Sequence, residues 1–166
     1  VAAAEPPVPA AAPAGRPRPA VAGARAKLIL GKNQERRIRS GHPWVFSNEI
    51  ESIEGVPEPG GEVLVQDHRG GTVGVGLYNP HSLIAVRLFA RRDRPVDAAL
   101  LRERLREASE LRKRIYPVES TYRLVYSEGD FLPGLIVDRY GDTLCVQSLT
   151  LGIENRLDEI LDALEE

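Results

Sequence analysis

The chain has 166 residues, 42% of them hydrophobic, and a formal net charge of −2, which suits one ordinary domain or two small ones and excludes a large enzyme. Its one cysteine, Cys145, rules out an internal disulfide, and its three scattered histidines leave no pair at zinc-ligand spacing. No run approaches the roughly 18 apolar residues of a membrane helix, and prolines interrupt the N-terminus where a secretion signal needs an apolar core, so a cytoplasmic location is expected. The small net charge hides an asymmetry. Residues 1–94 carry 13 Lys/Arg against 9 Asp/Glu, whereas residues 95–166 carry 9 against 15. A basic front half suits a phosphate backbone, although such charges also serve simply to solvate a surface.

Residues 1–26 are mostly Ala and Pro, with Pro6-Pro7-Val8-Pro9 and Arg16-Pro17-Arg18-Pro19. They bury little apolar surface and withhold backbone donors, so a disordered tail is expected, with Arg16, Arg18 and Arg25 as a loose basic arm or a passive extension. From Lys27 the pattern changes. Lys27-Leu28-Ile29-Leu30 reads as a strand, Gln34 to Ser40 as a short helical turn, and Gly41 as its left-handed C-terminal cap. Pro43 then forces an extended chain through Trp44. Glu62 to Gln66 and Thr72 to Tyr78 alternate on either side of the turn residues Asp67-His68-Arg69-Gly70-Gly71, and Leu83 to Phe89 reads as a further strand. Residues 27–94 therefore predict a small β-barrel or curled sheet.

Pro95 and Asp97 announce a helix in which Leu101, Leu105, Ala108, Leu111 and Ile115 recur at helical spacing, and Pro117 ends it. Glu110 and Arg114 are placed to pair on its wet side. Strands are expected over Tyr122 to Ser127, Leu135 to Tyr140 and Thr143 to Leu149, the last two joined by a tight hairpin at Gly141-Asp142. Ile153, Leu157, Ile160, Leu161 and Leu164 form a closing apolar stripe. Asp162, Glu165 and Glu166 oppose the helix dipole there and no residue caps the end, which suggests that this helix continues further. Residues 95–166 thus read as a second α+β unit, expected to be truncated.

The functional signal lies near the front. Arg36, Arg37 and Arg39, with Lys32 close by, precede Ser40-Gly41-His42-Pro43-Trp44-Val45-Phe46-Ser47-Asn48-Glu49-Ile50, which holds the only Trp of the chain. Mobile positive charge beside a Gly-His-Pro turn and a short aromatic strand is suited to holding a polyanion, and RNA binding is the leading reading.

Two segments, Arg36 to Ile50 and Glu128-Gly129-Asp130-Phe131-Leu132-Pro133-Gly134-Leu135-Ile136-Val137-Asp138-Arg139-Tyr140-Gly141-Asp142, together resemble the ribosomal RNA large-subunit methyltransferase I family. The resemblance runs in order over roughly residues 27–166. It implies an α+β fold: a PUA-like RNA-binding pseudobarrel, then a small linking domain of EEHEE arrangement, here incomplete. It also implies a third domain in the family that binds S-adenosylmethionine and methylates cytosine at carbon 5 of 23S ribosomal RNA through a cysteine nucleophile. A methyl-donor site needs a Gly-rich turn between a parallel strand and a helix. Gly70-Gly71-Thr72-Val73-Gly74-Val75-Gly76 lies instead within strand-like alternation, so no cofactor is expected in this chain, and bulges or close approach of RNA backbone explain its glycines better.

The expected partner is ribosomal RNA, with no metal and no membrane. Lys32, Arg36, Arg37, Arg39, His42, Trp44, Ser47, Asn48, Arg69 and Gly70 are the candidate RNA-binding residues. Against each stands a structural alternative: exposed helix positions for the arginines, a core anchor for Trp44, a peripheral role for His42, turn formation for Ser47 and Asn48, and a solvated hairpin tip for Arg69 and Gly70. Cys145, within Leu144-Cys145-Val146, is expected to be a buried, inert thiol, and Asp130, Asp138 and Asp142 to serve hairpin capping or pairing with Arg139. No catalytic residue is expected. The alternatives to the front part of a methyltransferase are a self-standing RNA or ribosome adaptor and a structural remnant.

Overall fold

The structure is a computed structural model that describes residues 25–165. The expected tail falls on residues 1–24, outside the described residues. Arg25 and Ala26, assigned to that tail, belong to the fold: Arg25 pairs with Glu62 and Asp93, and Ala26 begins the first strand.

Six strands form the first sheet: β1 (Ala26–Leu30), β2 (Trp44–Phe46), β3 (Ile50–Glu54), β4 (Glu62–Gln66), β5 (Thr72–Tyr78) and β6 (Ile84–Ala90). Their order is β2-β6-β5-β4-β1-β3, antiparallel throughout except for the parallel β1–β4 pair. The two edges, β2 and β3, are neighbours in sequence, joined by a single 3-10 turn at Ser47–Glu49. Flat, six strands would hold their edges about 24 Å apart, whereas the chain from Phe46 to Ile50 reaches at most about 14 Å. The sheet must therefore curl. Register shifts at Ile29/Leu30, Val45/Phe46, Val65/Gln66 and Val75/Gly76 supply the bends.

The curl encloses Leu28, Leu30, Val45, Val63, Val65, Val73, Val86 and Leu88. The short helix α1 (Glu35–Arg39) contributes fully buried Ile38 to this core. β3 was not foreseen, since Ile50 and Ile53 are three residues apart and break strict alternation.

In β5, Gly74 and Gly76 answer a packing demand. A Cβ on either would lie 2.4 Å from a carbonyl oxygen of β6, of Ala90 or Arg87 respectively, so the close approach is by the neighbouring strand of this chain.

β5 and β6 also serve a second core. Val75, Leu77 and Phe89 pack with Leu100, Leu101, Leu105 and Ala108 of α2 (Ala98–Ile115). Asp97 caps that helix by accepting from the backbone N–H of Leu100 at 2.9 Å, as its position before the apolar stripe predicts. The stripe fades toward the end, leaving Leu111 and Ile115 exposed. Glu110 pairs with Lys113 at 2.8 Å in place of the expected Arg114, whose Nε donates to the Glu110 carbonyl.

β7 (Thr121–Tyr126), β8 (Leu135–Tyr140) and β9 (Thr143–Ser148) form an antiparallel sheet in sequence order. Val125, Leu135 and Val137 turn toward α2, where Ile153 of α3 (Leu151–Glu154) and Ile160 of α4 (Leu157–Glu165) complete the layer. The single closing helix suggested by the apolar stripe is thus two, separated at Asn155 and Arg156. There the side chains turn back to the barrel: Asn155 donates to the Pro59 carbonyl at 3.0 Å and Arg156 to that of Gly60 at 3.0 Å.

Cys145 is exposed, contrary to expectation, because it pairs with Asp138 on the face of the sheet opposite Val137 and Val146, which pack toward α2. Asp138 pairs with Arg123 and Asp130 with Arg112, so neither takes Arg139.

Candidate nucleic-acid interface

α1 and the residues after it hold most of the candidate positions. Gly41, with φ of 119°, ends the helix in a conformation that glycine adopts at low cost, and its N–H donates to the Ile38 carbonyl at 3.0 Å. The N–H of His42 bonds the Arg37 carbonyl at 3.2 Å, which aligns the chain for β2. Lys32 is exposed in the turn before α1 and makes no hydrogen bond or ion pair with the described residues. Arg36 is exposed too, touching only Asn33 Oδ1 at 3.1 Å.

Asp67 is the organiser of this face. One of its oxygens accepts from the N–H groups of Arg69 and Gly71, each at 2.9 Å, while the other takes Arg39 at 2.8 Å. The N–H groups of Gly71 and then Arg69 hold its carboxyl below the usual Asp range; burial opposes them, and Arg39 adds to them. The carboxylate thereby welds the β4–β5 hairpin tip, with Arg69 and Gly70, to the end of α1. Sequence separation hid this junction. Asp67 reads as an ordinary turn residue, and only the fold brings Arg39 across 28 positions to meet it.

Arg37 behaves differently from its neighbours. It donates to both Glu49 oxygens, at 2.7 and 2.8 Å, and to the Trp44 carbonyl at 3.1 Å, and it lies 4.8 Å from the centre of the Phe46 ring. Glu49 in turn accepts from the Phe46 N–H at 2.7 Å. This guanidinium is committed to joining α1 to β2 and the turn after it. Ser47 and Asn48 are exposed on that turn, with the Ser47 N–H held by the Leu83 carbonyl at 2.9 Å.

His42 and Trp44 form an edge-to-face pair with centroids 5.3 Å apart, and His42 Nδ1 accepts from the Trp44 N–H at 3.2 Å. Trp44 is half-buried and its Nε1 donates to Glu128 at 2.8 Å, so the indole bridges the barrel to the Ser127–Asp130 turn. Arg87 of β6 lies 3.9 Å from the same carboxylate.

The geometry can grip a polyanion. Lys32, Arg36, Arg39 and Arg69 offer exposed cations around a glycine turn, on a platform fixed by Asp67 and Glu49. Among the described residues no glycine-rich turn joins a parallel strand to a helix of more than five residues. Gly31 does lead from β1 into α1, but α1 has five residues and its Ile38 fills the barrel, while Gly74 and Gly76 sit within a strand. Among the described residues no three His, Cys, Asp or Glu side chains converge as a metal would require, and no helix is long and apolar enough to cross a membrane.

Residues 28–91 match the PUA-like domain family. Over 142 residues, 84% of the chain, the sequence is 34% identical to ribosomal RNA large subunit methyltransferase I of Salmonella arizonae and 36% identical to that of Tolumonas auensis, covering 35% and 36% of those proteins. The same enzyme of Vibrio cholerae is 34% identical over 139 residues, with 82% of this chain and 35% of that protein covered. Two solved structures share the fold: one from Streptococcus mutans described as a SAM-dependent methyltransferase, with a TM-score of 0.72, and a methyltransferase complexed with SAH, with a TM-score of 0.73. Each is 18% identical, and the match covers 84% of this chain and 37% or 36% of theirs. The chain thus carries a PUA-like domain and is homologous, over most of its own length and about a third of theirs, to the ribosomal RNA large subunit methyltransferase I proteins.

Proposed function

We propose that this chain is the RNA-docking part of an S-adenosylmethionine-dependent methyltransferase that modifies cytosine carbon 5 in 23S ribosomal RNA, acting beside ribosomes in the cytoplasm. The barrel, residues 27–94, holds the RNA. The α+β unit from residue 95 onward sets the distance to a catalytic domain that supplies the methyl donor and the nucleophile. Lys32, Arg36, Arg39 and Arg69 meet phosphates, while Gly70, Ser47, Asn48 and His42 lie along the strand's path. Arg37 and Trp44 back this surface. The observation that carries the reading is the Asp67 junction, which gathers Arg39 and Arg69 from distant parts of the sequence onto one exposed face.

The test is a titration of 23S ribosomal RNA fragments at several salt concentrations with the wild-type chain and the Arg36→Gln/Arg39→Gln variant. Two lost phosphate contacts lower the slope of log affinity against log salt by about 1.4 on a single strand. Both side chains are exposed, so the unfolding free energy should stay within about 1 kcal/mol of wild type. An unchanged slope in the folded variant would refute the assignment, and binding of S-adenosylmethionine by this chain alone would refute the division of labour.

A further inference from the structure

A groove of about 340 Å³ lies between β6, the start of α2 and the Ser127–Asp130 turn, within the range of small-ligand sites, roughly 300–1,000 Å³. Arg91, Arg92, Arg94, Glu103, Arg104 and Phe131 line it. Phe131 is unusual twice over. It is a large apolar side chain left 53% exposed, and its φ of 56° lies in the left-handed region that residues bearing a Cβ avoid.

Such a backbone persists where its surroundings over-determine it, and here they do. Buried Arg112 holds Asp130 through two bonds of 2.7 and 2.6 Å, and Asp130 also accepts from the Tyr126 N–H at 2.6 Å. From the barrel side, Trp44 holds Glu128. Ser127 Oγ accepts from the Gly134 N–H at 2.8 Å beyond the turn. Three sets of polar contacts thus fix a turn whose outcome is an aromatic ring displayed over a basic groove.

The charges in the groove are unequally committed. Arg94 clasps Glu103 at 2.9 and 2.7 Å, and Arg104 pairs with Glu107 while its guanidinium carbon sits 5.1 Å from the centre of the Phe131 ring. The Nε of Arg104 is buried without a partner. Arg91 donates to the carbonyls of Ile38 and Gly41, facing no carboxylate in these bonds. Arg92 is exposed and makes no hydrogen bond or ion pair with the described residues. Surplus cations beside a displayed ring are the combination that single-stranded nucleic-acid sites use, phosphate on the charge and base on the ring.

We propose that this groove holds one unpaired nucleotide of the bound RNA strand, its base stacked on Phe131 and its flanking phosphates on Arg91 and Arg92. Arg91 makes the groove continuous with the first face, because its guanidinium bonds the end of α1. The inference rests on the RNA reading above and extends the path of the strand across the junction of the two units.

The test uses single-stranded oligoribonucleotides of ribosomal sequence carrying 2-aminopurine, with affinity and fluorescence quenching as readouts. Phe131→Gly suits the positive φ, so the fold is kept while the ring is lost. Its affinity should fall roughly ten-fold or more and its quenching disappear, whereas Phe131→Trp should retain both. Arg92→Gln should lower the salt slope by about 0.7. Unchanged affinity and quenching in Phe131→Gly overturn the proposal, as does a free mononucleotide that binds as tightly as the strand. If Arg36→Gln/Arg39→Gln weakens binding but Phe131→Gly does not, the groove falls and the first face stands. If the wild-type chain binds no RNA, both fall.

Discussion

Arg112–Asp130 and Arg39–Asp67 are ion pairs of nearly equal length, 2.6 and 2.8 Å, in different settings. The first has side chains 10% and 5% exposed, whereas Arg39 is 52% exposed over an Asp67 that is 14% exposed and keeps two backbone N–H donors of its own. Burial decides what each can do. The buried pair cannot exchange its partner for a phosphate without stranding a carboxylate away from water, so it shapes the turn that presents Phe131. The exposed pair gains little from its own contact, and a phosphate can replace the carboxylate at small cost. The same division runs within α1: Arg37 is committed to Glu49, while Arg36 is exposed. A run of arginines that looks uniform in sequence is one structural post among exposed cations.

That contrast can be broken at its strongest point first. Arg112→Ala leaves Asp130 buried and unpaired and should cost about 3–5 kcal/mol in urea unfolding. A loss below about 1 kcal/mol would mean that the turn is held by other contacts. Arg37→Ala should cost less, about 1–3 kcal/mol, because Glu49 keeps the Phe46 N–H while losing its charged partner. The salt slope of RNA binding should change little in the folded fraction, the reverse of what Arg36→Gln/Arg39→Gln should show. If Arg37→Ala lowers the slope without affecting stability, Arg37 belongs with the exposed cations.

The smallest effect is expected at Glu128. Burial pushes its carboxyl up, but hydrogen bonds from Ser127 and Trp44, with Arg87 nearby, outweigh it and hold the group below the usual Glu range. A carboxyl depressed by folding contributes stability that is complete above its unfolded value, about 4.3, and is lost as pH falls through the folded value. Glu128→Gln should therefore be less stable than wild type at neutral pH by about 1 kcal/mol. The gap should narrow as pH drops below about 4. A gap independent of pH would remove the charge of Glu128 from the account of how the indole is tethered.

Much of the architecture was legible because it follows from local patterning. Asp97 before an apolar stripe, Gly41 after α1 and Gly141-Asp142 between alternating runs are short-range signals, and each element lies within a few residues of its expected place. β3 escaped because its isoleucines break the two-residue period, and Cys145 was misplaced because which face of β9 meets α2 is decided by how the sheet packs.

The sequence by itself determined the elements, the basic front and the resemblance to a ribosomal RNA methyltransferase family, since propensity, capping and composition act between near neighbours. Only the tertiary structure decided which cations are free. Arg37 meets Glu49 across 12 positions, Arg39 meets Asp67 across 28, and Trp44 meets Glu128 across 84. Whether a charge is buried against a partner or left to a ligand depends on what the curled sheet and the layer packed on it bring together, and no spacing along the chain encodes that directly.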